Sequence, residues 1–391
     1  MAAGFYIQEQ GVSGLGRAYA GDAAIASDAS TIYFNPAGMT RLDDNELQAG
    51  IHVLIPSASV DQGNTGIPGR DSTNPYDPSL VPNLYWAQRY SDTVWLGFGL
   101  SAPFGLRNEY RDDFFARYDS LESDLKVLNF QPSIAVDLND RISIGGGVDL
   151  QYAEATLRSA IPADLNPAHD GEFGLEGDSW DVGYNIGLLA ELSDDTRLGI
   201  HYRSGVTHTL RGTATLTEPF GGPSFVLPGQ ADLRLPDIAS IGLRHQFSER
   251  WSGLAQYNWF NWSRFDKIDI ELPTGDQVLR QNYRNSYGIA VGAEYILDPR
   301  WTLRGGIQYD RTPTRLDGRS TRTPDGDRTW FSFGASYATS DQFTVDLAYT
   351  YIHVAREEID ITRSFNGVPV RMQGTTDGNV HVLAAALRYH F

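Results

Sequence analysis

The chain has 391 residues, no cysteine, and 49 acidic against 31 basic side chains, for a net charge of −18. That excludes a disulfide framework and cysteine-based metal or nucleophile chemistry, and the acidity argues against a nucleic-acid partner. Only 41% is hydrophobic and no run approaches the ~20 apolar residues of a spanning helix, which still leaves a membrane β-barrel open.

Residues 1–43 come first and read differently from the rest. Met1-Ala2-Ala3 leads straight into Gly4-Phe5, with no cationic or apolar leader, so the expectation is a cytosolic chain or a mature exported one. The segment is rich in Gly, Ala, Ser and Asp and alternates poorly. Asp22 to Ala26 predicts one or two helical turns, and the segment ends in Asn35-Pro36-Ala37.

From residue 44 onward the period is two. Ile142, Ile144, Val148, Leu150 and Tyr152 oppose Arg141, Ser143, Asp149 and Gln151. Tyr287 to Tyr295, Trp301 to Tyr309, Phe343 to Tyr351 and Leu383 to Phe391 repeat the pattern. Aromatics flank aliphatics on the apolar face, as at the two interfaces of a bilayer, while the other face is small, polar or charged. Short turns such as Asn139-Asp140 and Asp298-Pro299 alternate with long polar segments near 103–120, 160–177, 312–328 and 358–377. The expected fold is all-β: a transmembrane antiparallel barrel of about fourteen strands, residues 44–391, with residues 1–43 as a plug inside the lumen.

The N-terminal residues Gly4-Phe5, Ser13 to Ala18, Ala20-Gly21, Asp28-Ala29-Ser30 and Asn35-Pro36-Ala37 form an ordered series that closely resembles the hatch of the FadL/TodX family of outer-membrane transporters. The resemblance implies a monomeric fourteen-stranded barrel in the bacterial outer membrane, the mature chain lacking its signal peptide. It implies passive inward transport of a hydrophobic ligand: capture on the loops, binding in an apolar pocket above the hatch, and lateral exit where the third strand kinks. Long-chain fatty acids are the expected substrate. Aromatic or aliphatic hydrocarbons by the same route are the alternative, and a general porin or structural surface barrel is the alternative from another class. Lipid and lipopolysaccharide are the expected surroundings.

On that reading the hatch motif is Asn35, Pro36 and Ala37, with Arg17 in a charge network to the wall. The kink falls at Gly99, Ala102, Pro103, Phe104 and Gly105, since proline cannot donate to a ladder and glycine allows a bend. Without the resemblance, Pro103 reads rather as the end of the strand and the start of an external loop. Phe5, Phe114, Phe115, Ile161 and Leu165 are candidate ligand contacts, the last four as apolar clusters in polar loops; loop-on-loop packing would leave the same pattern. Arg203 is the candidate partner for a carboxylate, because Arg offers a bidentate fork. It shares inward parity with Arg197, His201, Arg304, Asp149, Glu294, Asp346 and Arg388, any of which could instead tie wall to hatch. No G-x-S-x-G stretch is present and, apart from the isolated His201 and His208, no His pair has metal spacing on one face, so neither enzyme activity nor a cofactor or metal is expected.

Overall fold

The computed structural model describes residues 4–365 and 367–391. Fourteen antiparallel strands close into one barrel. The first six are β1 (Glu46–Gln62), β2 (Ser79–Arg89), β3 (Val94–Glu109), β4 (Glu122–Asn139), β5 (Ile142–Ile161) and β6 (Gly171–Ser193). The next four each run in two pieces. They are β7 (Thr196–Arg203, Thr207–Thr217), β8 (Ser224–Arg234, Ile238–Gln246), β9 (Trp251–Phe260, Lys267–Glu271) and β10 (Gln277–Arg280, Ser286–Ile296). The last four are β11 (Trp301–Asp310), β12 (Arg328–Ala338), β13 (Phe343–Phe365) and β14 (Val368–His390). β1 pairs with β14 from Glu46↔His390 to Gln62↔Gly374, which closes the wall.

The alternation read from the sequence is the alternation of the wall. Ile144, Val148, Leu150, Val291, Ile307, Leu347 and Leu383 face outward and are exposed. Ser143, Asp149, Gln151, Gln308, Asp346 and Thr350 face inward and are buried. Near the short turns the outward aromatics pair across strands: Trp251 with Tyr295 at 4.6 Å, Trp301 with Tyr337 at 4.6 Å, and Phe343 with Tyr389 at 5.0 Å. Such amphipathic rings are suited to the headgroup level.

Residues 4–42 lie inside the barrel and are almost entirely buried. They form three single helical turns, α1 (Val12–Leu15), α2 (Asp22–Ile25) and α3 (Thr31–Phe34), followed by a 3₁₀ stretch, Pro36–Arg41. Helices this short have no stability of their own and are held by tertiary packing.

Three segments expected as loops are strand. β3 continues past Pro103 to Glu109, β6 begins at Gly171, and β13 and β14 extend as a hairpin through most of 358–377. Proline is tolerated in β3 because the ladder on one side has already ended there.

Candidate functional site

The wall changes at β3. β2 pairs with it only from Arg89↔Trp95 to Leu84↔Leu100, whereas β4 follows it to Glu109↔Glu122 across a register shift between Ser101 and Phe104. Above Leu100, among the described residues, the β2 side of β3 has lost its partner strand. The chain's own N-terminal strip fills the vacated edge from within. Ile7 N–H donates to Pro103 O at 2.8 Å and Gly105 N–H to Phe5 O at 3.0 Å. Gln10 clasps the neighbouring peptide: its Oε1 accepts from Ala102 N–H at 3.1 Å and its Nε2 donates to Ala102 O at 2.8 Å. Gly105 allows Ile7 to pack close, since a Cβ there would lie 2.8 Å from Ile7 Cδ1, which would have to turn aside. Ala102, Pro103, Phe104 and Gly105 therefore do sit together at a kink, while Gly99 lies just below it, opposite Tyr85 in the paired part of the ladder.

Below the kink the plug is fastened to the wall by charge. Arg17 meets Asp22 at 2.5 Å and Glu294 at 3.3 Å. Arg41 meets Asp137 at 3.0 Å and Glu191 at 3.2 Å. Arg388 meets Asp346 at 2.9 Å and donates to Ser27 O at 3.2 Å. Asn35 donates to Ala23 O at 2.6 Å and Leu188 O at 3.1 Å, and its Oδ1 accepts from Ala37 N–H at 3.1 Å. The Asn-Pro-Ala motif is thus a cap and a wall contact at once, with Pro36 opening the 3₁₀ turn whose first N–H it lacks. The wall makes room with glycine: a Cβ at Gly187 would stand 1.9 Å from Asn35 Oδ1, and one at Gly199 1.7 Å from Ala23 O.

Arg203 belongs to this fastening and not to a ligand site. Its Nη1 is bonded to Asp149, its Nη2 donates to Tyr33 O at 3.0 Å and Gln131 Oε1 at 2.9 Å, and its guanidinium stacks on the Tyr33 ring at 4.4 Å. Phe114 and Phe115 also differ from the expectation of an exposed patch. Both are fully buried with Val60, Tyr110, Ile359 and Met372, and Tyr110 stacks on Phe114 at 4.1 Å. The apolar loop cluster is a small core that binds three external segments together. Leu165 packs against its edge, and only Ile161 of the loop candidates faces open space.

Above the plug lies a small, partly open apolar pocket of about 70 Å³. Leu106, Leu125, Leu157, Leu175, Leu210, Leu233 and Ile268 line its sides. Phe5 and Phe265 form the floor, their rings edge-on at 5.2 Å, with Trp262 edge-on to Phe5 at 4.7 Å. Trp262 and Phe265 reach inward because β9 is broken between Phe260 and Lys267.

One cation stands at the rim, Arg322. It comes from residues 312–327, an external segment with no regular structure that folds into the barrel mouth and is mostly buried. Arg322 itself is 6% exposed, its Nε has no hydrogen-bond partner, and its Nη1 makes one long contact to Ser123 at 3.4 Å. Burial, only partly offset by Asp119, pulls its acidity constant down to about 10, as expected for a guanidinium without a close carboxylate. Arg322 also lines a wider vestibule of about 740 Å³ above, together with Ile161, Arg280, Arg363 and Asp119. Sequence parity could not find it, because Arg322 is on no strand.

A closed outer-membrane-type barrel with its lumen plugged, an apolar chamber above the plug and a kinked third strand defines a class of envelope transport protein. The family model described as outer membrane protein transport protein (OMPP1/FadL/TodX) matches residues 1–391. The chain belongs to that family, whose members are outer-membrane transporters of hydrophobic compounds in Gram-negative bacteria. It is 30% identical over 389 residues to a long-chain fatty acid transport protein of Escherichia coli CFT073, covering 90% of this chain and 87% of that one. It is 30% identical over 395 residues to outer membrane protein P1 of Haemophilus influenzae, covering 90% and 86%. Among solved structures, a FadL homologue from Pseudomonas aeruginosa superposes with a TM-score of 0.91 at 22% identity, each chain covered in full. The toluene transporter TodX of Pseudomonas putida does so at 0.76 and 19%, again over the full length of both chains.

Proposed function

We propose that this chain takes up amphiphilic hydrophobic molecules with an anionic head, long-chain fatty acids foremost, passively and as a monomer. Residues 1–43 act as the hatch and residues 44–391 as the conducting barrel. The observation that carries the reading is the pairing of an apolar pocket with Arg322, a buried cation whose Nε is unengaged at the pocket rim. A carboxylate needs a cation where water is scarce, and its hydrocarbon tail needs the leucine-lined wall. The ligand would enter through the vestibule past Ile161, rest with its head at Arg322 and its tail against Phe5, and leave sideways at Pro103 and Phe104. Lateral exit is supported by the unpaired β2 side of β3 and by the charged fastening of the plug below, which opposes a straight descent. The names of the relatives agree with this substrate class, and the toluene transporters among the similar folds supply the second reading: a neutral hydrocarbon would use the pocket without Arg322.

The test is uptake in cells lacking their own fatty-acid transporter. The chain should restore growth on a long-chain fatty acid, and Arg322→Gln should reduce the uptake rate roughly 10- to 100-fold while leaving toluene entry unchanged. If Arg322→Gln leaves fatty-acid uptake unchanged, the pocket serves neutral compounds.

A further inference from the structure

Ser320 to Pro324 separate the vestibule from the apolar pocket. Ser320 and Arg322 line the upper space, and Arg322 and Thr323 the lower one. Both ends of this five-residue arm are anchored. Arg319 donates to Glu358 O at 2.6 Å and meets Glu357 at 3.0 Å, which fixes one end to β13. Asp325 meets Arg328 at 2.5 Å and accepts from Gly4 N–H at 2.8 Å, which fixes the other to β12 and the N-terminal strip. The arm between them is held from one side by a single acid. Asp119 accepts from Ser320 Oγ at 2.7 Å, Thr321 N–H at 2.8 Å and Thr321 Oγ1 at 2.7 Å. The remaining contacts are neutral: Asn108 Nδ2 donates to Arg322 O at 2.6 Å, Tyr110 Oη to Thr321 O at 2.8 Å, and Tyr283 Oη lies 2.5 Å from Thr323 Oγ1.

Asp119 is fully buried, and the one cation that bonds it is Arg363, with Nε at 3.0 Å. Arg363 faces the vestibule, where an arriving ligand meets it. We propose that Ser320–Pro324 is a hinged flap latched by Asp119, and that an anionic head group opens it by drawing Arg363, then Arg322, away from that acid. The proposal rests on the uptake reading above and adds a gate to it. The physical reason is asymmetry. With Arg363 engaged, the buried carboxylate is paired and holds the flap through three donors. Once the ligand's carboxylate competes for Arg363, Asp119 is a buried charge with neutral donors only, which is strongly disfavoured, and water must reach it. Water reaches it when the flap swings about Arg319 and Asp325. Arg322 rides on the flap, so the group that receives the head also carries it from the upper space to the lower. A neutral hydrocarbon makes no such claim on Arg363 and would pass only through spontaneous opening.

The native chain has no cysteine, so a thiol pair can be placed without interference. Asp119→Cys with Ser320→Cys, assembled in outer-membrane vesicles and bridged after folding by a short reducible bis-thiosulfonate, locks the flap to the loop that latches it. Uptake of a long-chain carboxylate should fall at least ~10-fold on bridging and return on reduction. In the unbridged pair and in Asp119→Asn, the latch is weakened and uptake of a long-chain alcohol should rise several-fold. Bridged vesicles that transport the carboxylate at the unbridged rate would overturn the flap. Wild-type vesicles that transport neither compound would instead overturn the uptake reading beneath it.

Discussion

The foot of the plug and its N-terminal strip are one continuous segment held in different ways. Residues 17–41 are fastened to the wall by ion pairs of Arg17 with Glu294 and of Arg41 with Asp137 and Glu191, and by the wall residues Arg203 and Arg388 donating to the carbonyls of Tyr33 and Ser27, and their backbone sits in glycine notches. Residues 4–10 are fastened by backbone hydrogen bonds to the kinked β3, by the Gln10 amide, by Gln8 to Gln308, by Gly4 to Asp325 and Arg328, and they carry the fully buried Glu9. A buried ion pair that loses one partner leaves an uncompensated charge in the lumen, at a cost of about 3–5 kcal/mol, whereas a neutral hydrogen bond contributes about 0.5–1.5 kcal/mol net. The foot is keyed into the wall by charge and by its backbone in the notches, while the strip adds a strand-like contact to the edge of β3.

The contrast breaks first at Arg203. Arg203→Leu strands Asp149 in the lumen and should lower unfolding stability in urea by about 3–5 kcal/mol, with the pocket's ligand affinity little changed. A large affinity loss at unaltered stability would return Arg203 to the role of head-group partner. Next is the strip. Gln10→Ala leaves both polar groups of Ala102 unpaired, a cost on the order of 1–3 kcal/mol that falls on the strip alone. Hydrogen exchange should quicken at Ile7 and Gly105 while the amides of the plug foot keep their protection.

The latch is sensitive to acid in a calculable direction. Burial pushes the Asp119 carboxyl up, but Arg363, then Arg322 and the hydroxyls of Ser320 and Thr321, more than reverse this and hold it at about 2, below its ordinary 3.8. A lowered value stabilises the latched form fully above pH 3.8 and loses that contribution as pH falls through about 2. Pepsin should nick residues 312–327 near pH 2 and spare them near pH 4. The smallest effect belongs to the exterior. Lys126, whose side chain is 60% exposed and meets Asp124 at 3.4 Å, should change stability by less than about 1 kcal/mol on replacement by Ala.

The wall was legible in the sequence because period two, paired aromatics and short turns each follow from spanning a bilayer with closed strands. The plug was legible through its ordered small-residue motif, and Pro103 and Gly105 fall where the ladder to β2 has ended and the register to β4 shifts. The site was legible in part. Parity put Arg203 in the lumen correctly, yet parity is blind to what occupies the neighbouring positions, and Asp149 and the Tyr33 carbonyl already engage that fork. Phe114 and Phe115 looked like a surface patch because their packing partners, Ile359 and Met372, lie more than two hundred residues away in the chain. Arg322 carried no signal at all, since nothing periodic marks an irregular external segment that folds inward. Its one cue was negative: a long polar stretch without strand pattern inside a compact domain is uncommon unless it has work to do.

The central claim is that the head of the ligand binds Arg322 and the tail fills the pocket over Phe5. Equilibrium binding of a long-chain carboxylate and of the alcohol of equal length to the purified barrel, wild type against Arg322→Gln, tests it most directly. The carboxylate should lose roughly 10- to 100-fold in affinity and the alcohol almost nothing. Equal losses for both, or no loss for either, would contradict it.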